Sequence, residues 1–250
     1  PNCNAGLSHI CQNLKFMGID SPGAMQKSWT VKARTLHRLP ENVSLKQGAL
    51  IEPLSVACHD VERARLKSGE KAVVLGGGPI GQLIALVAKS VGAEVMVSEV
   101  SEVRRQFAAD QGVRTVDPIS DDLASEVREW TGGKGADVVF EVSGVPAVVE
   151  AMTEIAAARG RICMVAIHAT PPPVNLFQFF WKELEMVGAR VYEAADFDRA
   201  IEIVANGEID LEPFITSVDT LPDIGQAFAH MDGNPAGMKA LLSCANENPS

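Results

Sequence analysis

Residues 71–99, KAVVLGGGPIGQLIALVAKSVGAEVMVSE, constrain this chain more than any other stretch. Residues 71–75 are a short apolar, β-branched run of the kind that forms a buried parallel strand, and they lead directly into Gly76-Gly77-Gly78-Pro79-Ile80-Gly81. In such a turn Gly76 makes the tight bend, Gly78 lets the backbone approach a pyrophosphate, and Gly81 lets the helix lie close on the strand. Pro79 suits the first helical turn, where a missing N–H costs little. Ile80, Leu83, Ile84, Leu86, Val87 and Val91 then mark a helix with a broad apolar face, and its N-terminus offers free N–H groups and a positive dipole end to an anion. Residues 94–98 read as a second strand. Glu99 follows it, 18 positions after Gly81, close to the roughly 20-residue interval at which a carboxylate meets an adenosine ribose. The pattern predicts a dinucleotide site, and the acid favours NAD over NADP by repelling a 2′-phosphate. A glycine-rich turn in some other α/β domain explains the turn but not the placement of Glu99.

Around this unit, strands and helices alternate with little interruption. A helix is expected over 53–66, another from Ser101 to about 110 and closed by Gly112, and a third strand over 114–116. Ser120 opens a helix ending near Trp130, 136–142 is a strand, 145–158 a helix ended by Gly160, and 161–166 a fifth strand. After a triple proline, 175–183 reads as a short helix and 184–189 as a sixth strand. This is the signature of an α/β fold with a doubly wound, six-stranded parallel sheet of Rossmann type. The first fifty residues are rich in Gly, Pro and polar groups, with strand-like pieces at 28–31 and 35–39. Beyond residue 190, helices at 196–206 and 222–231 and strands at 214–218 and 238–243 are too few for an independent core. The expected organisation is a flanking domain made of residues 1–50 and 191–250, with the nucleotide domain, 51–190, inserted between its two parts.

A net charge of −10 and a pI near 5.0 leave no basic stripe to neutralise phosphates, which argues against a nucleic-acid partner. Lys89 and Glu94 break the longest apolar windows, so no bilayer span and no membrane partner are expected. Five cysteines spread along the chain do not resemble a secreted disulfide framework, and a reducing cytoplasm is the default compartment.

The usual catalytic signatures are absent. Tyr192 is the sole tyrosine and Asp196 stands four positions on, so the Tyr-x-x-x-Lys dyad is missing, and neither G-x-S-x-G, H-E-x-x-H nor a P-loop occurs. What remains are Glu52-Pro-Leu-Ser-Val-Ala-Cys-His59 and the pair Cys3 and Cys11.

Together with Val74-Leu-Gly-Gly-Gly-Pro-Ile-Gly, Val139-Phe-Glu-Val-Ser-Gly and Gly188-Ala-Arg-Val-Tyr, the Ile51-Glu-Pro-Leu-Ser-Val segment resembles the zinc-dependent medium-chain alcohol and polyol dehydrogenases. The likeness is to the sorbitol dehydrogenase type, with butanediol and threonine dehydrogenases as relatives, and it extends over essentially the whole chain. It implies a GroES-like catalytic domain around the Rossmann domain, hydride transfer from a secondary alcohol or polyol to NAD, and zinc as a Lewis acid. It also implies that Cys3 and Cys11, with seven residues between them, match the last two of four structural zinc cysteines, and that Glu52 matches an acid at the catalytic zinc. Their remaining partners, two cysteines and a catalytic cysteine with Gly-His-Glu, would then lie upstream of Pro1, and the chain is expected to be N-terminally truncated. Read without the resemblance, Cys3 and Cys11 are equally unrelated thiols and Glu52 a carboxylate at a helix start; His59 reads as a packed helix residue. Tyr192 is equally a substrate neighbour and an interface residue.

The same resemblance places Ile80 beside the pyrophosphate and Arg104 near the adenosine. It places Val165, Ala166 and Ile167 against the nicotinamide, and Ala189, Arg190 and Val191 on a further cofactor-side segment. It also implies a homodimer or homotetramer formed through the sixth strand. Two alternatives stay open: a catalytically incomplete NAD-binding module, and a zinc-independent NADP reductase of the same superfamily.

Overall fold

The computed structural model describes residues 2–234 and 236–244; the last residues of the expected C-terminal segment, 245–250, lie outside them. The chain divides into two compact units, one of residues 53–192 and one of residues 1–52 with 193–250.

The larger unit is a six-stranded, wholly parallel sheet. Its strands are β1 (Lys71–Leu75), β2 (Glu94–Ser98), β3 (Arg114–Val116), β4 (Ala136–Glu141), β5 (Ala156–Met164) and β6 (Glu185–Gly188), in the spatial order β3-β2-β1-β4-β5-β6. That order reverses between β1 and β4, the point at which a doubly wound sheet opens its ligand crevice at the carboxyl ends of the strands. Helices α1 (Leu45–Gly48) and α2 (Ile51–Arg63) precede β1; α2 crosses the boundary between the units. Then follow α3 (Pro79–Ser90), α4 (Glu102–Asp110), α5 (Leu123–Trp130), α6 (Pro146–Ile155) and α7 (Leu176–Lys182). Val73, Leu75, Met96, Val139 and Ile162 form one face of the sheet and pack with Val127 of α5 and Val149 and Met152 of α6. Val74 points the opposite way, toward α3. With helices on both faces the strands are buried twice over, which is why β1 and β4 read as nearly continuous apolar runs and not as alternating ones.

Several boundaries differ from the sequence expectation. The helix expected over 145–158 stops at Ile155, because Ala156 already pairs with Ala136. A register shift follows, with Arg159 in the left-handed region at φ 58°. Strand pairing here outweighs the helical preference of three consecutive alanines. Asp122, not Ser120, caps α5, its carboxylate accepting from the N–H groups of Ala124 (3.0 Å) and Ser125 (3.2 Å). The strand-like pieces at 28–31 and 35–39 form no strand; Ala33–Thr35 is a single 3-10 turn, and an extended segment without a neighbour to pair with has no ladder to hold it.

The smaller unit contains α8 (Ala194–Ala205), α9 (Ile224–Gly233) and the parallel pair β7 (Ile215–Thr220) and β8 (Lys239–Ser243); α9 packs on both strands, and Ile203, Leu211 and Phe214 are buried. The N-terminal stretch joins this unit through side chains: Asn42 Nδ2 donates to the Ala205 carbonyl at 2.8 Å, and His37 meets Asp198 at 2.7 Å. Among the described residues, no helix is long and apolar enough to cross a membrane.

Candidate functional site

The carboxyl ends of β1, β2, β4, β5 and β6 bring together most of the residues marked out by the sequence. Gly76 adopts φ +109°, and a Cβ there would lie 3.1 Å from the Ser143 backbone. A Cβ on Gly81 would lie 1.9 Å from the Gly76 carbonyl oxygen, so only glycine lets α3 start this close to β1. Gly78, the N-cap of α3, faces open space, the nearest atom to its absent Cβ being Arg104 Nη1 at 4.0 Å. Pro79 follows at the first helical position, and Ile80 is half-buried beside it.

Glu99 is buried, and each oxygen of its carboxylate accepts one main-chain hydrogen bond. Oε2 accepts from the Gly77 N–H at 2.7 Å and Oε1 from the Ser101 N–H at 2.8 Å, so the acid at the end of β2 also holds the glycine turn in place. Gln82, which sequence reasoning passed over, is buried on α3 and donates from Nε2 to the carbonyls of Gly77 and Arg104, both at 3.0 Å. The two adjacent arginines have different duties. Arg105 braces the fold, bonding the carbonyls of Glu99 and Val100 and pairing with Asp117 at 3.0 Å. Arg104 carries a buried Nε with no hydrogen-bond partner among the described residues. An open Gly78 at a helix N-terminus, with the Arg104 guanidinium Nη1 4.0 Å from its absent Cβ, is a fit for a phosphate-bearing ligand, and the residues present suit a dinucleotide.

Across the crevice, the N–H groups of Val165 (3.0 Å) and Ala166 (3.1 Å) donate to the Glu141 carbonyl, and Ile167 is 96% exposed. Ala189 N–H donates to the Met164 carbonyl at 3.1 Å. Val191 has φ 60°, a conformation that a β-branched residue adopts only when its surroundings compel it. Glu141, Ser143 and His168 also meet here and were not marked out as site residues; the available signal was a glutamate closing the apolar run Val138-Val139-Phe140 and followed by Val-Ser-Gly.

The candidate metal ligands are not gathered in this way. Burial pushes the Glu52 carboxyl above the ordinary carboxylate value, and Lys239 opposes that shift; the same burial lowers the Lys239 ammonium against the pull of Glu52. The charge that acts on Glu52 here is that of Lys239. Cys3 and Cys11 share a hydrogen bond that raises the Cys3 thiol and lowers that of Cys11. Two thiols make half of a tetrahedral zinc site, and no group of three or more His, Cys, Asp or Glu able to hold a metal occurs among the described residues. These residues by themselves do not fit a zinc ion. His59 is buried in α2.

A family model described as zinc-binding dehydrogenase matches residues 79–206. The chain is 72% identical over 247 residues to 2-dehydro-3-deoxy-L-galactonate 5-dehydrogenase of Pseudoalteromonas atlantica, an alignment covering 99% of this chain and 72% of that protein. Among solved structures, 2R,3R-butanediol dehydrogenase from Bacillus subtilis matches with a TM-score of 0.87 at 30% identity, covering 94% of this chain and 68% of that one. A zinc-binding dehydrogenase from Sinorhizobium meliloti, solved with NADP bound, matches with a TM-score of 0.88 at 28% identity, covering 97% of this chain and 72% of the other. With its Rossmann sheet, its glycine turn and these relatives, the chain belongs to the zinc-binding dehydrogenase family and is an oxidoreductase of the medium-chain alcohol and polyol type.

Proposed function

We propose that this chain binds NAD in preference to NADP and serves the oxidation of a secondary hydroxyl on a sugar acid or polyol. The observation that carries the cofactor reading is Glu99, a buried carboxylate bonded to the glycine turn itself, where a 2′-phosphate would meet negative charge at short range. In this reading the N-terminus of α3, with Gly78, Pro79 and Ile80, receives the pyrophosphate, the Arg104 guanidinium beside Gly78 meets the phosphate or ribose, and Glu99 faces the ribose hydroxyls. Val165, Ala166, Ile167, Ala189, Arg190 and Val191 border the nicotinamide. The strained backbone at Val191 supports this assignment, because such strain concentrates where a ligand is held. Bound NAD supplies the hydride acceptor, the hydroxyl proton going to solvent as the ketone forms.

The 72% identity to an enzyme named for a 2-dehydro-3-deoxy sugar acid favours that substrate class over a simple polyol. Cys3, Cys11 and Glu52 bind zinc, in this reading, only with ligands beyond the described residues. The absence of a three-ligand group among those residues favours a second reading, in which this chain alone binds the cofactor without turnover. Self-association through β6 is supported by its place at one end of the sheet and by the exposure of Met186, Phe177, Phe180 and Trp181 along and beside it; the expected assembly is a homodimer or homotetramer.

Calorimetric titration of the chain with NAD and NADP tests the cofactor, and tighter binding of NADP defeats the assignment. NADH formation with 2-dehydro-3-deoxy-L-galactonate, sorbitol and 2,3-butanediol, run beside metal analysis, tests the substrate; binding of NAD without zinc or turnover decides for the second reading.

A further inference from the structure

Glu141 closes β4 with its side chain wholly buried. A carboxylate survives in such a place when donors surround it. Its Oε1 accepts from the N–H groups of Ser143 and Gly144, both at 3.0 Å, and from the Ser143 hydroxyl at 2.6 Å. Its Oε2 meets Nε2 of His168 at 3.0 Å. The main-chain carbonyl of the same residue accepts from Val165 and Ala166. One residue therefore holds two loops, the one after β4 and the one after β5. The loops also pack on each other and on the glycine turn: a Cβ on Gly144 would lie 3.5 Å from the Ile167 carbonyl oxygen, and one on Gly76 would lie 3.1 Å from Ser143.

Residues 165–175 contain no helix or strand. Ordering a segment of that kind costs conformational entropy for each residue fixed, and a ligand that needs it ordered must meet that cost unless the protein has already done so. The His168 side chain, 11% exposed beside the almost fully exposed Ile167, is the tether that fixes the middle of this segment.

We propose that His168 is a positioning residue for the nicotinamide end of the cofactor: its hydrogen bond to Glu141 holds Val165, Ala166 and Ile167 in the conformation that presents their backbone to the ring. This rests on the cofactor reading above. It differs from a merely structural role because only the nicotinamide half of the ligand depends on it. Glu141 keeps three donors when His168 is removed, so the fold tolerates the change.

The test compares NADH with ADP-ribose, which lacks the nicotinamide, on wild-type chain and on the His168→Leu and His168→Gln variants. His168→Leu is expected to weaken NADH binding about tenfold while ADP-ribose binding stays within about twofold of wild type, and the fluorescence of bound NADH should move toward that of free NADH. His168→Gln, which retains a side-chain N–H donor, should restore most of the NADH affinity. If His168→Leu leaves NADH binding unchanged, or weakens both ligands equally, the positioning role is wrong. If wild-type chain binds neither ligand, the cofactor reading itself fails and takes this inference with it.

Discussion

Replacing Glu99 with alanine would ordinarily be regarded as a way to convert an NAD site to NADP, and the structure predicts that it does not. The carboxylate is 7% exposed and accepts hydrogen bonds from Gly77 at 2.7 Å and Ser101 at 2.8 Å. A hydrogen bond to a charged acceptor contributes about 1.5–3 kcal/mol. Ser101 is half-buried and its N–H recovers part of its loss with water, whereas Gly77 is buried and its N–H is left unsatisfied. The sum is about 3 kcal/mol, which in a unit of this size lowers the melting temperature by roughly 10 °C. Because the freed group is the glycine turn, NAD affinity falls by about a hundredfold and NADP affinity does not rise. Glu99→Gln keeps one acceptor but turns its NH2 toward the other N–H, so its loss is intermediate. Thermal melts and calorimetric titration with both cofactors read these quantities. An alanine variant that melts within about 2 °C of wild type, or that binds NADP more tightly than wild type does, refutes the reasoning.

Gly81→Ala places a Cβ 1.9 Å from a backbone oxygen and should yield no stable fold, while Gly78→Ala meets nothing nearer than 4.0 Å and should fold normally but bind cofactor poorly; circular-dichroism melts and NADH titration separate the two. Burial pushes the Glu70 carboxyl up, but its bonds from Arg161 and from the Lys67 N–H outweigh that and hold it below its ordinary 4.5. A lowered folded pKa means stability present above 4.5 and lost as pH falls through the folded value. Glu70→Gln should therefore cost about 1–2 kcal/mol at neutral pH, the difference closing in acid; a pH-independent difference in urea melts would count against the pair. Phe180→Asp combined with Trp181→Asp should reduce the mass measured by light scattering to that of a single chain, and an unchanged mass would remove α7 from the interface.

The residues of the glycine turn were legible because their requirements are local: a strand, a bend and a helix start follow one another within a dozen positions, each imposing its own residue type. The same holds for β1 and β4, whose nearly continuous apolar runs announce burial on both faces. Ala156, Ala157 and Ala158 misled because their helical preference is weak beside a neighbouring strand that offers backbone partners. Gln82 and Arg105 gave no local sign of their duties, since the fold brings the Arg104 carbonyl to Gln82 and the Asp117 carboxylate to Arg105.

From sequence alone came the order of elements, the dinucleotide turn and the acid that follows β2, because these depend on neighbours in the chain. The tertiary structure decided the rest. Glu141 and His168 stand 27 residues apart, and Glu70 and Arg161 stand 91 apart. They meet because the sheet reverses its strand order between β1 and β4, placing β1, β4 and β5 side by side with their ends aligned. Side chains separated so widely are brought within hydrogen-bond distance by strand pairing and burial, and nothing in their local sequence specifies which partner they will find.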